Sequence, residues 1–227
     1  MKLARVWLLG AMLSVACVSA HAEGPHGRPG WGSPIDLVMI PEVQRELRLD
    51  DGQTDAVRQL GQGLRAKMQE IFQSTGGFQN LSQEERHRRF QAMGEQRARA
   101  EKQLAEILDN KQSARLRQIG LQREGYRALT RPDVAAELRL TPDQRQRIQA
   151  ALDGERQAFK DAFQGFGAGM SPDRREEIRR KAGEILQSTD ARLLGTLTDA
   201  QKRQFQAMQG APFKFPERHF RPRPPGG

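Results

Sequence analysis

The sequence predicts an all-α protein built from two repeated helical-hairpin units of long amphipathic helices, with a flexible N-terminal leader and C-terminal tail. Three observations carry this expectation. Val57, Leu60, Leu64, Met68 and Ile71 recur three or four residues apart, as do Ile148, Leu152, Phe159, Phe163 and Phe166 once Glu155 is skipped. The segment that starts at Pro41-Glu42-Val43 and ends at Glu46-Leu47-Arg48-Leu49 returns as Pro132-Asp133-Val134 to Glu137-Leu138-Arg139-Leu140, an offset of 91 residues. Four Leu-x-x-x-Gln boxes carry the chemistry of helix starts. No β alternation and no Asn-Gly or Asp-Gly hairpin signal interrupts the pattern.

Composition agrees. Of 227 residues, 29% are charged and 37% apolar, and mean hydropathy is −0.74. Such a chain buries narrow stripes between paired helices rather than a broad core. Beyond the first 22 residues no run is apolar enough to span a bilayer.

Residues 1–22 read as an export signal. Lys2 and Arg5 are followed by an apolar stretch from Val6 to Val18, too short to span a bilayer comfortably, and by Ala20-His21-Ala22, with cleavage expected after Ala22. Ser14-Val15-Ala16, before Cys17, lack the leucine of a lipoprotein signal, and the small-residue site argues against an uncleaved anchor. Cleavage removes the only cysteine, and with Lys2 and Arg5 gone the net charge falls from +9 to +7. Thiolate metal sites and redox chemistry leave with Cys17. Residues 23–40, opening with Gly, Pro and His, read as a flexible leader.

The first unit is expected over 41–129 and the second over 130–209. Within them, helices should begin near Pro41, Asp50, Ser82 and Asp109, then near Pro132, Thr141, Ser171 and Thr198. Gln53 and Val57 correspond to Gln144 and Ile148 at the offset of 91 residues. Farther along the offset becomes 89 residues, pairing Ser82 with Ser171, Leu104 with Leu193, Leu108 with Leu197, Gln112 with Gln201, Leu116 with Phe205 and Ile119 with Met208. The change falls between the long helices, where Gly76-Gly77 and the glycines of 165–169 mark hairpin loops. The first long helix, over 50–73, would measure about 36 Å at 1.5 Å per residue. Residues 210–227, with five prolines, read as a disordered tail.

The boxes have a direct physical reading. Leu140-Thr141-x-x-Gln144 and Leu197-Thr198-x-x-Gln201 share one form. Leu49-Asp50-x-x-Gln53 and Leu108-Asp109-x-x-Gln112 replace Thr by Asp. Thr or Asp caps the new helix, Gln at the third helical position returns a bond to the cap's N–H, and the Leu closes the preceding element. Each cap stabilises by about 1 kcal/mol. These residues therefore read as structural. Ser82-x-x-Glu85 is a further capping box.

Nothing in the chain assembles a catalytic, cofactor-binding or metal site. Of the histidines beyond the signal, His26 and His219 lie near the ends and His87, with Glu84, forms at most half a metal site; there is no His-x-x-x-His pair. The glycines of 165–169 lack the Lys-Ser/Thr of a phosphate loop. Asp50-Asp51 and Glu176-Glu177 suit helix starts. The chain is read as no enzyme. Basic residues do cluster, on one helix at Arg86, Arg88, Arg89, Arg97 and Arg99, and on its repeat partner at Arg174, Arg175, Arg179, Arg180 and Lys181. Interleaved Glu and Gln make a solvated face the plainer reading. The sharper one is a basic surface that steers acidic or unfolded clients, with Arg86, Arg89, Arg97, Arg175 and Arg179 as candidate contacts. Export argues against nucleic acid as a partner. The tail, with Phe213, Phe215, Phe220, Arg218, Arg221 and Arg223, suits a sticky arm for clients or a membrane surface, or plain disorder.

Paired Leu-Thr-x-x-Gln boxes in an exported, Arg- and Gln-rich helical chain resemble the LTxxQ family, which includes the Spy- and CpxP-type periplasmic chaperones and the ZraP-type zinc-responsive proteins. The resemblance covers roughly residues 41–208. It implies a cofactor-free, ATP-independent periplasmic chaperone or envelope-stress adaptor whose partners are unfolded or stressed envelope proteins. A metal-responsive regulator and a structural envelope protein are the competing readings. Family subunits of the Spy and CpxP type carry one unit and form antiparallel dimers. Two units in one chain predict a monomeric pseudo-dimer instead.

Overall fold

The computed structural model describes residues 33–73, 81–163 and 171–216. The expected export signal with its cleavage site after Ala22, the expected glycine-marked loops, and the residues beyond Pro216 lie outside the described residues. Every regular element among the described residues is helical.

The first unit comprises α1 (Pro34–Val38), α2 (Pro41–Leu47), α3 (Asp51–Gln73), α4 (Gln83–Ile107) and α5 (Asn110–Glu124). The second comprises a 3₁₀ turn (Gly125–Thr130), α6 (Pro132–Glu137), α7 (Pro142–Ala162), α8 (Pro172–Thr196) and α9 (Asp199–Gln209). Helices α3 and α4 pair as one long hairpin, and α7 and α8 as the other. Neither helix of a pair has a stripe broad enough to fold alone, so each supplies the other's apolar surface.

The repeat is visible in the backbone as well as in the side chains. Helix α2 ends where Arg48 takes a left-handed conformation (φ 52°), and α6 where Arg139 does (φ 51°). At both places a Schellman closure forms. The N–H of Leu49 donates to the Gln44 carbonyl at 3.1 Å, and that of Leu140 to the Ala135 carbonyl at 2.9 Å. The box leucine is therefore the residue that ends one helix before the next is capped.

Each unit has its own core. Val43, Val57, Leu104 and Leu116 are buried in the first, and their repeat partners Val134, Ile148, Leu193 and Phe205 in the second. The ends of the units cross over. Leu121 of α5, with Ala128 and Leu129 of the 3₁₀ turn, is buried in the second core, where Tyr126 lies 5.8 Å from Phe205. Phe213 and Phe215, beyond α9, pack on the first core. The equivalent helices α5 and α9 pack against each other.

Three expectations about boundaries need correction. The leader expected over 23–40 is helical from Pro34, because Ile35, Leu37 and Val38 are buried behind a proline at the first helical position. A helix of five residues is too short for its periodicity to stand out. Residues 125–130, divided between the end of the first unit and the start of the second, belong to the second core and correspond to α1. The disordered tail expected from 210 onward is ordered through Pro216, since Phe213 and Phe215 find apolar surface.

Candidate client-binding surface

The four boxes cap four helices and also meet in pairs. The Asp50 side chain accepts from the Gln53 N–H at 2.7 Å, and the Gln53 side chain accepts from the Asp50 N–H at 3.2 Å. The same reciprocal bonds join Asp109 with Gln112, Thr141 with Gln144, and Thr198 with Gln201. Each glutamine then uses its amide N–H bonds across the unit. Gln53 donates to Gln112 Oε1 at 2.8 Å and to the Ile107 carbonyl at 2.9 Å, while Gln112 donates back to Gln53 Oε1 at 2.9 Å and to the Leu47 carbonyl at 3.3 Å. In the second unit Gln144 donates to Gln201 Oε1 at 2.7 Å and to the Thr196 carbonyl at 2.9 Å. Gln201 returns a bond to Gln144 at 3.1 Å and reaches the Leu138 carbonyl at 3.1 Å. One amide pair thus satisfies the helix ends it touches and locks box to box within each unit.

A second repeat-related lock ties the leading short element to its hairpin. In the first unit Asp36 of α1 pairs with Arg97 of α4 at 3.1 Å. Its counterpart, Arg127, pairs with Glu155 of α7 and with Asp190 of α8, the latter at 3.4 Å. Asp36 and Arg127 hold equivalent places with opposite charge, but their partners are not equivalent, since Arg97 corresponds to Leu186 and Asp190 to Glu101. Glu155 is the residue that breaks the apolar spacing of α7. It is buried (5% exposed) because Arg127 follows it there.

These contacts redistribute the candidate basic residues. Arg86, Arg175 and Arg179 are exposed on α4 and α8. Arg179 pairs with Glu176 at 2.6 Å, and on the same helix Arg180 pairs with Glu184 at 2.7 Å. Arg97 is committed to Asp36. Arg89 is buried (9% exposed) rather than displayed, which removes it from an outward-facing contact set.

Farther down, an ion network joins α5 to α6. Arg131 pairs with Glu124 at 3.2 Å and Asp133 at 2.9 Å, and Arg117 with Asp133 at 3.3 Å and Glu137 at 2.7 Å. Burial raises the Glu124 carboxyl above its ordinary range, against the opposing pull of Arg131. Burial pushes Asp133 upward too, but hydrogen bonds and charge from Arg131 and Arg117 outweigh it and hold that carboxyl low. An apolar hollow of about 230 Å³ lies beside this network, lined by Pro34, Leu104, Leu108 and Leu116.

The sequence reading missed one group of residues. Arg115, Gln122 and Arg123 of α5 hold the chain that follows α9. Their only signal was the pair of phenylalanines in a proline-rich stretch. Among the described residues no group of three or more His, Asp or Glu side chains is placed to hold a metal ion, and no helix is long and apolar enough to cross a membrane. The chain matches no protein-family model, no curated protein and no solved structure.

Proposed function

We propose that this protein is an exported, ATP-independent chaperone or envelope-stress adaptor of the LTxxQ type, holding unfolded or stressed proteins in the periplasm on a basic helical surface. The observation that carries the reading is the closure of four Leu-x-x-x-Gln boxes into two amide-locked pairs, so that one chain contains two complete units. The lock leaves the outer faces of α4 and α8 free of structural duty, and Arg86, Arg175 and Arg179 sit there exposed. Exposed pairs such as Arg179–Glu176 are worth about 0–1 kcal/mol, so a client carboxylate displaces the intramolecular partner at small cost.

An aggregation assay with an unfolded client tests the proposal. The mature chain at stoichiometric ratio is expected to suppress light scattering by the client. Association should slow as salt rises, because the Debye length shrinks from about 10 Å at 0.1 M to about 3 Å at 1 M. Joint replacement of Arg86, Arg175 and Arg179 by Gln should reproduce the high-salt rate at low salt. Failure to protect any client removes the chaperone reading, and a salt-independent association rate removes its electrostatic part.

A further inference from the structure

The residues that follow α9 make an unusual contact. Gly210 turns the chain with φ 64°, and a side chain there would collide with Gln118, so the turn is tight against α5. Beyond it Phe213 and Phe215 are half-buried while Pro212, Lys214 and Pro216 are exposed. That two-residue alternation is the signature of an extended chain with one face docked. The main chain of this strap is read by side chains. The Gln122 amide donates to the Ala211 carbonyl at 2.8 Å and accepts from the Phe213 N–H at 2.7 Å. Arg115 donates to the same Ala211 carbonyl at 2.8 Å. The rings sit edge to face, 4.9 Å apart, and the Arg123 guanidinium lies 5.2 Å from the Phe215 ring centroid.

None of these polar contacts depends on which side chains the strap carries, apart from the two aromatic places. The repeat shows what is special about the arrangement. At an offset of 89 residues Phe215 corresponds to Tyr126, which packs on the second core as Phe215 packs on the first. Tyr126 lies in the 3₁₀ turn between two helices. The first core is closed by α1 and, in addition, by Phe213 and Phe215 of an extended segment joined to α9 through Gly210. Its place can be vacated without unfolding a helix.

We infer that this groove on α5 and the first core is a peptide-binding site, occupied in cis by residues 211–216 and open in trans to extended client segments of the pattern aromatic-x-aromatic. The inference rests on the chaperone reading above and specifies what part of a client is held. An unfolded chain supplies such a segment with free backbone N–H and C=O groups, which Gln122 and Arg115 read, and with two rings for the apolar places. The strap competes at an effective concentration on the order of 1 mM, so clients gain the groove only when their segments are abundant or multiply attached.

The test uses the mature chain and a fluorescent peptide, Gly-Ala-Pro-Phe-Lys-Phe-Pro, followed by anisotropy. The Phe213→Ala/Phe215→Ala variant should bind it about tenfold more tightly than the unaltered chain. That is the factor by which an occupant at about 1 mM masks a site of about 0.1 mM affinity. The same peptide with both Phe replaced by Ala should not bind. A readout on the unaltered chain does not depend on that variant folding: excess peptide should accelerate hydrogen exchange at the Phe213 amide, which Gln122 otherwise protects. A folded variant that binds no better than the unaltered chain, or unchanged exchange at Phe213, overturns the inference. So does a dimeric unaltered chain that becomes monomeric in the variant, since the strap would then be exchanged between copies. Client protection that persists without peptide binding sinks the groove but not the chaperone reading; peptide binding without protection of any client does the reverse.

Discussion

Gln144 shows how much one side chain holds in this fold. Its Oε1 accepts from the Thr141 N–H, and its Nε2 donates to the Thr196 carbonyl and to Gln201. It is buried (8% exposed), whereas its counterpart Gln53 is half-buried. Removing it loses part of a cap and leaves the Thr196 carbonyl short of a partner. Caps contribute about 1 kcal/mol and an orphaned buried polar group costs about 1–3 kcal/mol. Gln144→Ala is therefore expected to destabilise by about 2–4 kcal/mol in urea titration, and Gln53→Ala by less, because water replaces the lost bonds there. A double-mutant cycle with Gln201→Ala should give coupling of about 0.5–3 kcal/mol. Equal costs at Gln53 and Gln144, or additive effects, would show that the amide pair is not the lock described. The capping half of this arrangement was legible in the sequence, because a capping box is local. The pairing of boxes was not: partners such as Gln144 and Gln201 lie 57 residues apart, and no local rule joins them.

At the scale of elements, the long helices follow from periodicity, and the repeat aligned the buried positions of both units before their partners were visible. What escaped was whatever depended on a distant charge or on a very short element. Glu155 breaks the apolar stripe of α7, and its partner Arg127 lies 28 residues away in sequence, beyond the reach of a local pattern. Helix α1 and the strap each bury only two or three apolar side chains, too few to show a period. The α5–α6 junction adds a charge network with a distinct dependence on pH. Glu124 has a raised folded pKa, so its contribution to stability is complete below its unfolded value of about 4.3 and fades as pH rises through the higher folded value. Asp133 has a lowered folded pKa, so its contribution is complete above its unfolded value of about 3.9 and is lost as pH falls through the lower folded value. Acidification from pH about 6 to about 4 should therefore raise the stability of the unaltered chain relative to Glu124→Gln, while further acidification should lower it relative to Asp133→Asn. Urea midpoints across this range read both differences, and parallel pH profiles for the three proteins would refute the assignment.

For the whole molecule the question is how two similar units share one chain. Separate cores would suit independent domains, but the units exchange their ends. Leu121 of α5 reaches into the second core, beside Ala128 and Leu129 of the 3₁₀ turn, and Phe213 and Phe215 return from beyond α9 to the first core. The equivalent helices α5 and α9 pack together, as the two copies of one helix would across a symmetric dimer interface. Covalent linkage makes this pairing intramolecular, so folding does not bear the translational entropy that association of two chains loses. We propose that this internal pairing takes the place of pairing with a second copy, which makes the chain a monomeric pseudo-dimer. Light scattering at micromolar concentration should give the mass of one mature chain, and twice that mass would refute the pseudo-dimer. Cleavage after Arg131 is the stronger test. The first fragment would expose Leu121, Ala128 and Leu129 while losing its strap, and the second would lack three buried side chains of its core. Leaving a buried leucine-sized contact unmade costs about 2–5 kcal/mol, comparable with the stability of a small domain. Each fragment alone should therefore show weak helical circular dichroism and no cooperative melt, and mixing the two should restore both. A first fragment that is a stable helical monomer by itself would mean that the exchanged ends are decoration on independent domains.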